Sequence, residues 1–400
     1  MLVAGGGPAG LVAAQNVAAA GYSVVVFERE PEIGVPVHTS GALSTEVMRD
    51  FQIPAGLYHP VQRLRLCSPG EAATFEFPEP VGCVIDVRGV YQHLARQARE
   101  AGARIETRTS VLRPILDNGR VTGCLVRAEE VEREVSAKVV IDATGYRADV
   151  SRAAGLHAGF DRFGVGAEYE LQAPHCRQDE LLLIVGNRYA PAGYAWVFPW
   201  GKDRVRVGVG LLHSDTREDA RKLLKLFLDE IANFGVDVRD AHTTETHFGL
   251  IPAIGLAKKL ACAGLMAVGD AAGVATLVVG EGIRLSMISG KMAGSTAVTC
   301  LSRGTWDASA LGAYEKRFRN EFGFNLRFGK IINRRMASWS DAKWDQQVRF
   351  LRTIPPALLL EILQSHFSAR EVLLWLALRP QHWLRLARWT TDALLDLLHA

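Results

Sequence analysis

Cysteine is scarce in this chain. The six residues, Cys67, Cys83, Cys124, Cys176, Cys262 and Cys300, are scattered and form neither a CxxC pair nor a metal-ligand spacing, so reduced thiols and no metal site are expected. Long apolar runs are missing too. The stretch Ala357 to Leu360, continued by Ile362 and Leu363, is broken by Glu361 and falls far short of a membrane span. Neither sign of charge dominates: 46 Lys and Arg face 43 Asp and Glu, and a net +3 gives no whole-molecule field that would imply nucleic acid as a partner. Repeats and low-complexity segments are absent. The first Gly-rich turn opens already at Gly5, which leaves no room for the charged and apolar parts of a signal peptide, and a cytoplasmic location is expected.

What is present suits a globular α/β protein: 48% hydrophobic residues, 22% charged residues and 38 Gly. At 400 residues the chain exceeds the size at which one hydrophobic core keeps growing, so packed domains or one composite domain are expected. Residues 1–28 read as a strand (Leu2 to Ala4), a Gly-rich turn, a helix (Pro8 to Ala20) and a strand (Tyr22 to Phe27), which is a βαβ unit. A helix around Val90 to Ala101, a strand at Ala103 to Arg108, a hairpin through Asp117-Asn118-Gly119 and a strand at Lys138 to Ile141 follow. From about 160 to 250 the pattern changes to alternating strands, Tyr194 to Pro199 and Val205 to Leu212 among them, with one helix at Arg217 to Phe234. The expected architecture is a Rossmann-like dinucleotide-binding domain (1–158 and 256–305) interrupted by a mostly antiparallel substrate-binding sheet (159–255), with a helical region over 306–400.

Gly5, Gly7 and Gly10 satisfy GxGxxG directly after a strand and at the head of a helix. Chemistry needs each at its place. The first allows the tight turn, the second lets backbone approach a pyrophosphate, and the third lets helix and sheet pack closely. The helix N-terminus then offers free N–H groups to the anion. Glu28, 18 residues beyond Gly10, closes the second strand as a carboxylate for a ribose diol. Two further strand-to-turn segments, Val139 to Gly145 and Leu265 to Gly273, point to FAD rather than a simple nicotinamide cofactor. In the second, Asp270 suits the ribityl hydroxyls, and the small residues after it allow a helix to begin beneath the flavin ring.

With these motifs together, residues 1 to about 300 resemble the flavoproteins related to para-hydroxybenzoate hydroxylase. The resemblance implies an FAD site to which Pro8, Ala9, Arg29 and Val111 also contribute. It places Arg88 near the flavin side of the pyrophosphate and Gly280-Glu281-Gly282-Ile283 along the isoalloxazine. Tyr194-Ala195-Trp196-Val197-Phe198-Pro199, followed by Gly208-Val209-Gly210, is similar to the YxWxFP and GxG signature of the geranylgeranyl reductase family, which reduces isoprenoid double bonds.

Strand alternation puts Tyr194, Trp196 and Phe198 on one face. If Gly201, Lys202 and Asp203 loop out, Gly208 and Gly210 oppose that face and leave a slot for a flat or linear apolar substrate. An aromatic core ridge stacked on glycines accounts for the same pattern. Archaeal members of the family commonly carry a cysteine after the second strand. Pro36 to Ser44 holds none, and His38, with an ordinary pKa near neutrality, is the proton-donor candidate there beside Tyr194.

The expected reaction is hydride transfer from reduced flavin to one alkene carbon and protonation of the other. With one dinucleotide fingerprint in the chain, NADPH, a ferredoxin or another carrier supplies the electrons. A flavin hydroxylase and a flavin-binding sensor without turnover stay open. A halogenase is disfavoured, because its WxWxIP is replaced by Tyr194-x-Trp196-x-Phe198-Pro199. Trp375, Trp383 and Trp389, interspersed with Arg379, Arg385 and Arg388, suit either a packed helix or a peripheral membrane contact.

Overall fold

The computed structural model describes residues 1–366. The Trp375 to Trp389 stripe lies outside the described residues. A six-stranded sheet sits at the centre of the dinucleotide fold, in the order Ala261–Cys262, Leu265–Ala267, Val140–Asp142, Leu2–Ala4, Val25–Phe27 and Arg104–Glu106. All neighbouring strands run parallel except the first pair, with Leu2 beside Val140 on one side and Val25 on the other. The three central strands, Leu265–Ala267, Val140–Asp142 and Leu2–Ala4, are covered on both faces and are fully buried without alternation.

The second strand begins three residues later than Tyr22, since Gly21 turns with φ +82° and Tyr22 only packs against the core edge. Helices Pro8–Ala19 and Ile283–Arg303 cover one face. They touch through small residues: a Cβ at Gly290 would lie 2.2 Å from the Ala9 carbonyl oxygen, and one at Gly294 would lie 2.9 Å from Asn16 Cβ. The opposite face is covered by the meander Thr109–Asp117, Arg120–Ala128 and Val131–Ser136, whose first hairpin turns through Asn118 and Gly119 at φ 48° and 78°.

A second, seven-stranded sheet has the order His242–Pro252, Phe163–Gln172, Arg204–His213, Gly193–Gly201, Glu180–Ile184, Arg63–Cys67 and Ala72–Glu76. Only the pair Glu180–Ile184 and Arg63–Cys67 is parallel. Five of the strands come from residues 163–252 and two from 63–76. Helix Ala220–Glu230, starting at its N-cap Asp219 and tightening into a 3₁₀ turn at Ile231–Phe234, buries Leu224 and Phe227 against Val207 and Val209 on one face. The other face looks toward the dinucleotide fold. A small sheet of Ala42–Ser44, Gly82–Ile85 and Tyr58–Val61 lies between them.

Helix Ala308–Met336 buries Leu311, Tyr314 and Phe318 in the dinucleotide-fold core. Helices Asp341–Leu351 and Pro356–Leu363 pack Trp344, Val348 and Leu359 on Leu64, Ala73 and Phe75 at the sheet edge. Among the described residues no helix is long and apolar enough to cross a membrane.

Candidate active site

The glycine loop separates into the expected roles. Gly5 turns at φ +107°, and a Cβ there would meet the Ala143 carbonyl oxygen at 2.2 Å. A Cβ at Gly10 would meet the Gly5 carbonyl oxygen at the same 2.2 Å, so helix and sheet touch backbone to backbone. Gly7 has nothing within 4 Å of a Cβ, which leaves open space in front of its backbone. No side chain caps the helix that starts at Pro8, and its first amides, Ala9 among them, are free for an anion.

Glu28 is held in place by its own loop. Its Oε2 accepts the Gly6 N–H at 2.7 Å and its Oε1 the Glu30 N–H at 2.9 Å. Arg29 is exposed and pairs with Glu30. Val111 packs against the core of the meander beneath Leu2 and Phe27. Arg88 stands in the first turn of helix Val87–Glu100, not at a strand end, and pairs with Glu245 at 3.4 Å.

Asp270 is the odd group out. Its Oδ1 is buried without a hydrogen-bond partner, and burial pushes its pKa up to about 6. The helix expected directly after it is a single 3₁₀ turn, Gly269–Ala272, ended by left-handed Gly273 at φ +69°. The long helix starts only at Ile283, beyond Gly282, whose Cβ would lie 3.4 Å from Asp270 Oδ1. An orphaned carboxylate oxygen, a bare loop at Gly7 and uncapped helix amides fit a dinucleotide with hydroxyls to donate and a pyrophosphate to cradle.

The aromatic strand pairs Tyr194 with Gly210 and Trp196 with Gly208, although Gly201 does not loop out but stays in the strand opposite Arg204, and the register is kept by a bulge between Pro199 and Gly201. The expected slot is not open, however. A Cβ at Gly208 would lie 2.2 Å from Trp196 Cζ2, and one at Gly210 would lie 3.2 Å from Cζ3, so the indole itself fills the space that the glycines vacate. Trp196 and Phe198 are buried, with ring centroids 6.0 Å apart.

The open space lies in front of this layer, in two cavities of about 180 and 150 Å³ that share Thr39, Ser40, Tyr194 and Gly280. The larger faces Tyr194 and Trp196, while the smaller faces Phe198, Gly282 and Ile283. The Tyr194 hydroxyl donates to the Val279 carbonyl, and burial, then the Glu168 carboxylate, raises its pKa. His38 is exposed at the rim of the larger cavity, with Nδ1 on the Phe248 carbonyl oxygen at 2.8 Å.

Register reveals residues that the linear reading missed. Three cross-strand rows share this face: Tyr194, Gly210, Gly166 and Gly249; then Trp196, Gly208, Glu168 and His247; then Phe198, Arg206, Glu170 and Glu245. In the first row a Cβ at Gly166 would meet nothing nearer than 3.9 Å, whereas one at Gly210 would meet the Trp196 ring at 3.2 Å and one at Gly249 the His38 carbonyl oxygen at 2.1 Å. The second and third hold a buried charged array, in which Trp196 Nε1 donates to Glu168 at 2.8 Å and His247 sits between Glu168 at 3.0 Å and Glu245 at 3.2 Å. Arg206, 2% exposed, donates to Glu170 and to the Ser40 and Ile85 carbonyls, and so ties the cavity rim to the sheet. The period-two strings Gly164-x-Gly166-x-Glu168-x-Glu170 and Glu245-x-His247-x-Gly249 carried this signal.

Two family models match: an FAD dependent oxidoreductase over residues 1–184 and a geranylgeranyl reductase catalytic domain over residues 164–246. A digeranylgeranylglycerophospholipid reductase of Methanothermobacter thermautotrophicus is 30% identical over 385 residues, covering 93% of this chain and 98% of its own. The chain belongs to the geranylgeranyl reductase family. It is an FAD-dependent oxidoreductase of the geranylgeranyl reductase type.

A second reductase of that description, from Methanopyrus kandleri, is 32% identical over 334 residues, covering 82% of this chain and 84% of its own. Among solved structures, a geranylgeranyl bacteriochlorophyll reductase-like protein of Thermoplasma acidophilum superposes with a TM-score of 0.86 at 26% identity, over 98% of both chains. A flavin-dependent brominase shares the fold alone, with a TM-score of 0.70 at 17% identity over 91% of this chain and 92% of its own.

Proposed function

We propose that this geranylgeranyl reductase family member saturates carbon-carbon double bonds in the isoprenoid chains of a lipid. The observation that supports it most is the place of Tyr194, which ends the aromatic row, borders both cavities and bonds the Val279 carbonyl next to Gly280. An apolar chain in the larger cavity would lie over Gly166 and against Trp196. The segment Gly280 to Ile283 would border the flavin.

Gly5, Gly7, Pro8, Ala9 and Gly10 would cradle the pyrophosphate of a tight, non-covalent FAD. Glu28 would accept from the ribose and Asp270 from the ribityl chain, with Arg88 beside the pyrophosphate. Bound in its reduced form, FAD supplies the hydride. The chain's own residues hold the alkene still, exclude water and provide aromatic faces that favour developing positive charge. Reducing equivalents come from a carrier outside this cradle, a nicotinamide or ferredoxin-like donor.

Anaerobic, dithionite-reduced protein mixed with a digeranylgeranyl glycerophospholipid tests the reading. Reoxidation of the flavin spectrum with gain of two hydrogens per double bond in the lipid mass is expected. A lipid of unchanged mass would overturn it.

A further inference from the structure

Saturating an alkene requires a proton as well as a hydride, and the two groups first considered for it are otherwise engaged. The Tyr194 hydroxyl donates its hydrogen bond to the Val279 carbonyl, and His38 Nδ1 is bound to the Phe248 carbonyl. The buried array offers another route. Glu168 lines the larger cavity with its side chain 4% exposed. His247, also on the cavity wall, bridges it to Glu245, whose side chain is 41% exposed. Hydrogen bonds of 3.0 and 3.2 Å therefore run unbroken from a half-exposed carboxylate to a buried one facing the proposed substrate.

Resting on the reductase reading above, we infer that Glu168 protonates the alkene and that His247 and Glu245 reload it from solvent. Both ring nitrogens of His247 face carboxylate oxygens. A neutral imidazole has one donor and one acceptor, so only the doubly protonated ring satisfies both contacts. Charge agrees: Glu168, Glu170 and Glu245 oppose Arg206 and Arg88, and a proton on His247 makes the array neutral. Burial works against the charged ring, but the hydrogen bonds and charge of Glu168 and the hydrogen bond of Glu245 outweigh it, and the His247 pKa is raised despite Arg206.

In the step, the His247 Nδ1 proton moves to the Glu168 carboxylate and the alkene π pair takes it from there as hydride reaches the other carbon, so one π bond breaks and two C–H bonds form. His247 is left neutral with its remaining proton on Nε2; the ring turns to bring that N–H to Glu168, and one proton entering from solvent through Glu245 restores the imidazolium. The same carboxylate holds Trp196 Nε1, which keeps the indole face against the carbon that gains positive character.

Single-turnover reoxidation of the reduced holoenzyme by a digeranylgeranyl glycerophospholipid, in H₂O and D₂O across pH, is the test. Wild-type rates should fall as pH rises through the raised His247 pKa and should show a solvent isotope effect. Glu168→Gln should bind flavin and lipid normally but react about 10²–10⁴-fold more slowly. Glu245→Gln, at the half-exposed end where folding is least at risk, should slow repeated turnover under excess reductant more than the first turnover and enlarge its isotope effect. Nitrogen-15 spectra of the flavin-free protein should show both His247 ring nitrogens protonated at neutral pH, with the titration moved down in Glu168→Gln.

Wild-type rates and isotope effects in both carboxamide variants would overturn the relay while leaving the reductase reading intact. So would transfer of the whole loss to His38→Gln or Tyr194→Phe. A wild-type protein that the lipid does not reoxidise would remove the reductase reading and this inference together.

Discussion

The Trp196 indole rests on Gly208 so closely that a Cβ at position 208 would lie 2.2 Å from its Cζ2. The indole cannot easily yield, because its Nε1 is bound to Glu168 and its ring packs against Phe198 and Val84. Gly208→Ala should therefore destabilise the fold by about 1–3 kcal/mol through overpacking. Gly210→Ala, where the distance is 3.2 Å, should cost less. Urea denaturation with tryptophan emission as the probe measures both, and a Gly208→Ala protein as stable as wild type would refute the contact.

The three loop glycines should fail differently. Gly7 has extended backbone (φ −75°, ψ 176°) that any residue adopts, and nothing stands near its Cβ. Gly7→Val should fold with wild-type circular dichroism yet retain no flavin. Gly10→Ala drives a methyl into the Gly5 carbonyl and should lower the melting temperature or prevent soluble expression. Absorbance of acid-released flavin beside a thermal melt separates the two, and a fully flavinated Gly7→Val protein would remove the pyrophosphate assignment.

Features set by neighbours in the chain were legible in the sequence. The Gly5 to Gly10 loop, the Asn118-Gly119 turn and the pairing of Tyr194 with Gly210 follow from turn chemistry and strand alternation, and the structure reproduces them. Distant strands were harder. Glu168 and His247 meet because Phe163–Gln172 lies between Arg204–His213 and His242–Pro252, an order that no local pattern fixes. Strands Arg63–Cys67 and Ala72–Glu76 join the second sheet for the same reason. The slot failed on volume: two glycines opposite an aromatic read from the sequence either as space or as a ridge stacked on glycine, and the indole bends back to fill it.

Asp270 should give the flavin-free protein a distinct pH response. Its folded pKa, raised by burial to about 6 from an ordinary 3.8, means that the folded state holds the proton more tightly than the unfolded one. Its contribution to stability is full below about pH 4 and is lost as pH rises through about 6, on the order of 2–3 kcal/mol. Asp270→Asn should remove that loss, so the variant should gain on wild type between those values in the flavin-free form. Donors on a bound cofactor would relieve the charged form, and the gap should close in the flavin-bound protein. Parallel urea curves for the flavin-free pair across this range would contradict the assignment.

The last expectation turns the filled slot into a test of the aromatic wall. Trp196→Ala removes the indole from above Gly208 and Gly210 and strips Glu168 of the N–H that it accepts. A large buried aromatic truncated to Ala costs about 3–5 kcal/mol, part of it from the cavity left behind. That cavity has a flat glycine floor and one carboxylate acceptor, the complement of free indole, and vacated apolar cavities of this kind bind small aromatics. Added indole should therefore raise the melting temperature of Trp196→Ala and leave wild type unchanged. Flavin should stay bound in the variant, since the glycine loop is held by other elements, while alkene-dependent reoxidation falls and is partly restored by indole. Phe198→Ala provides the control, because it keeps the Trp196 to Glu168 bond and should give no indole response. A Trp196→Ala protein with full alkene turnover would make this ring ordinary core, and one that is inactive but deaf to indole would show that the space above Gly208 collapses when the ring is gone.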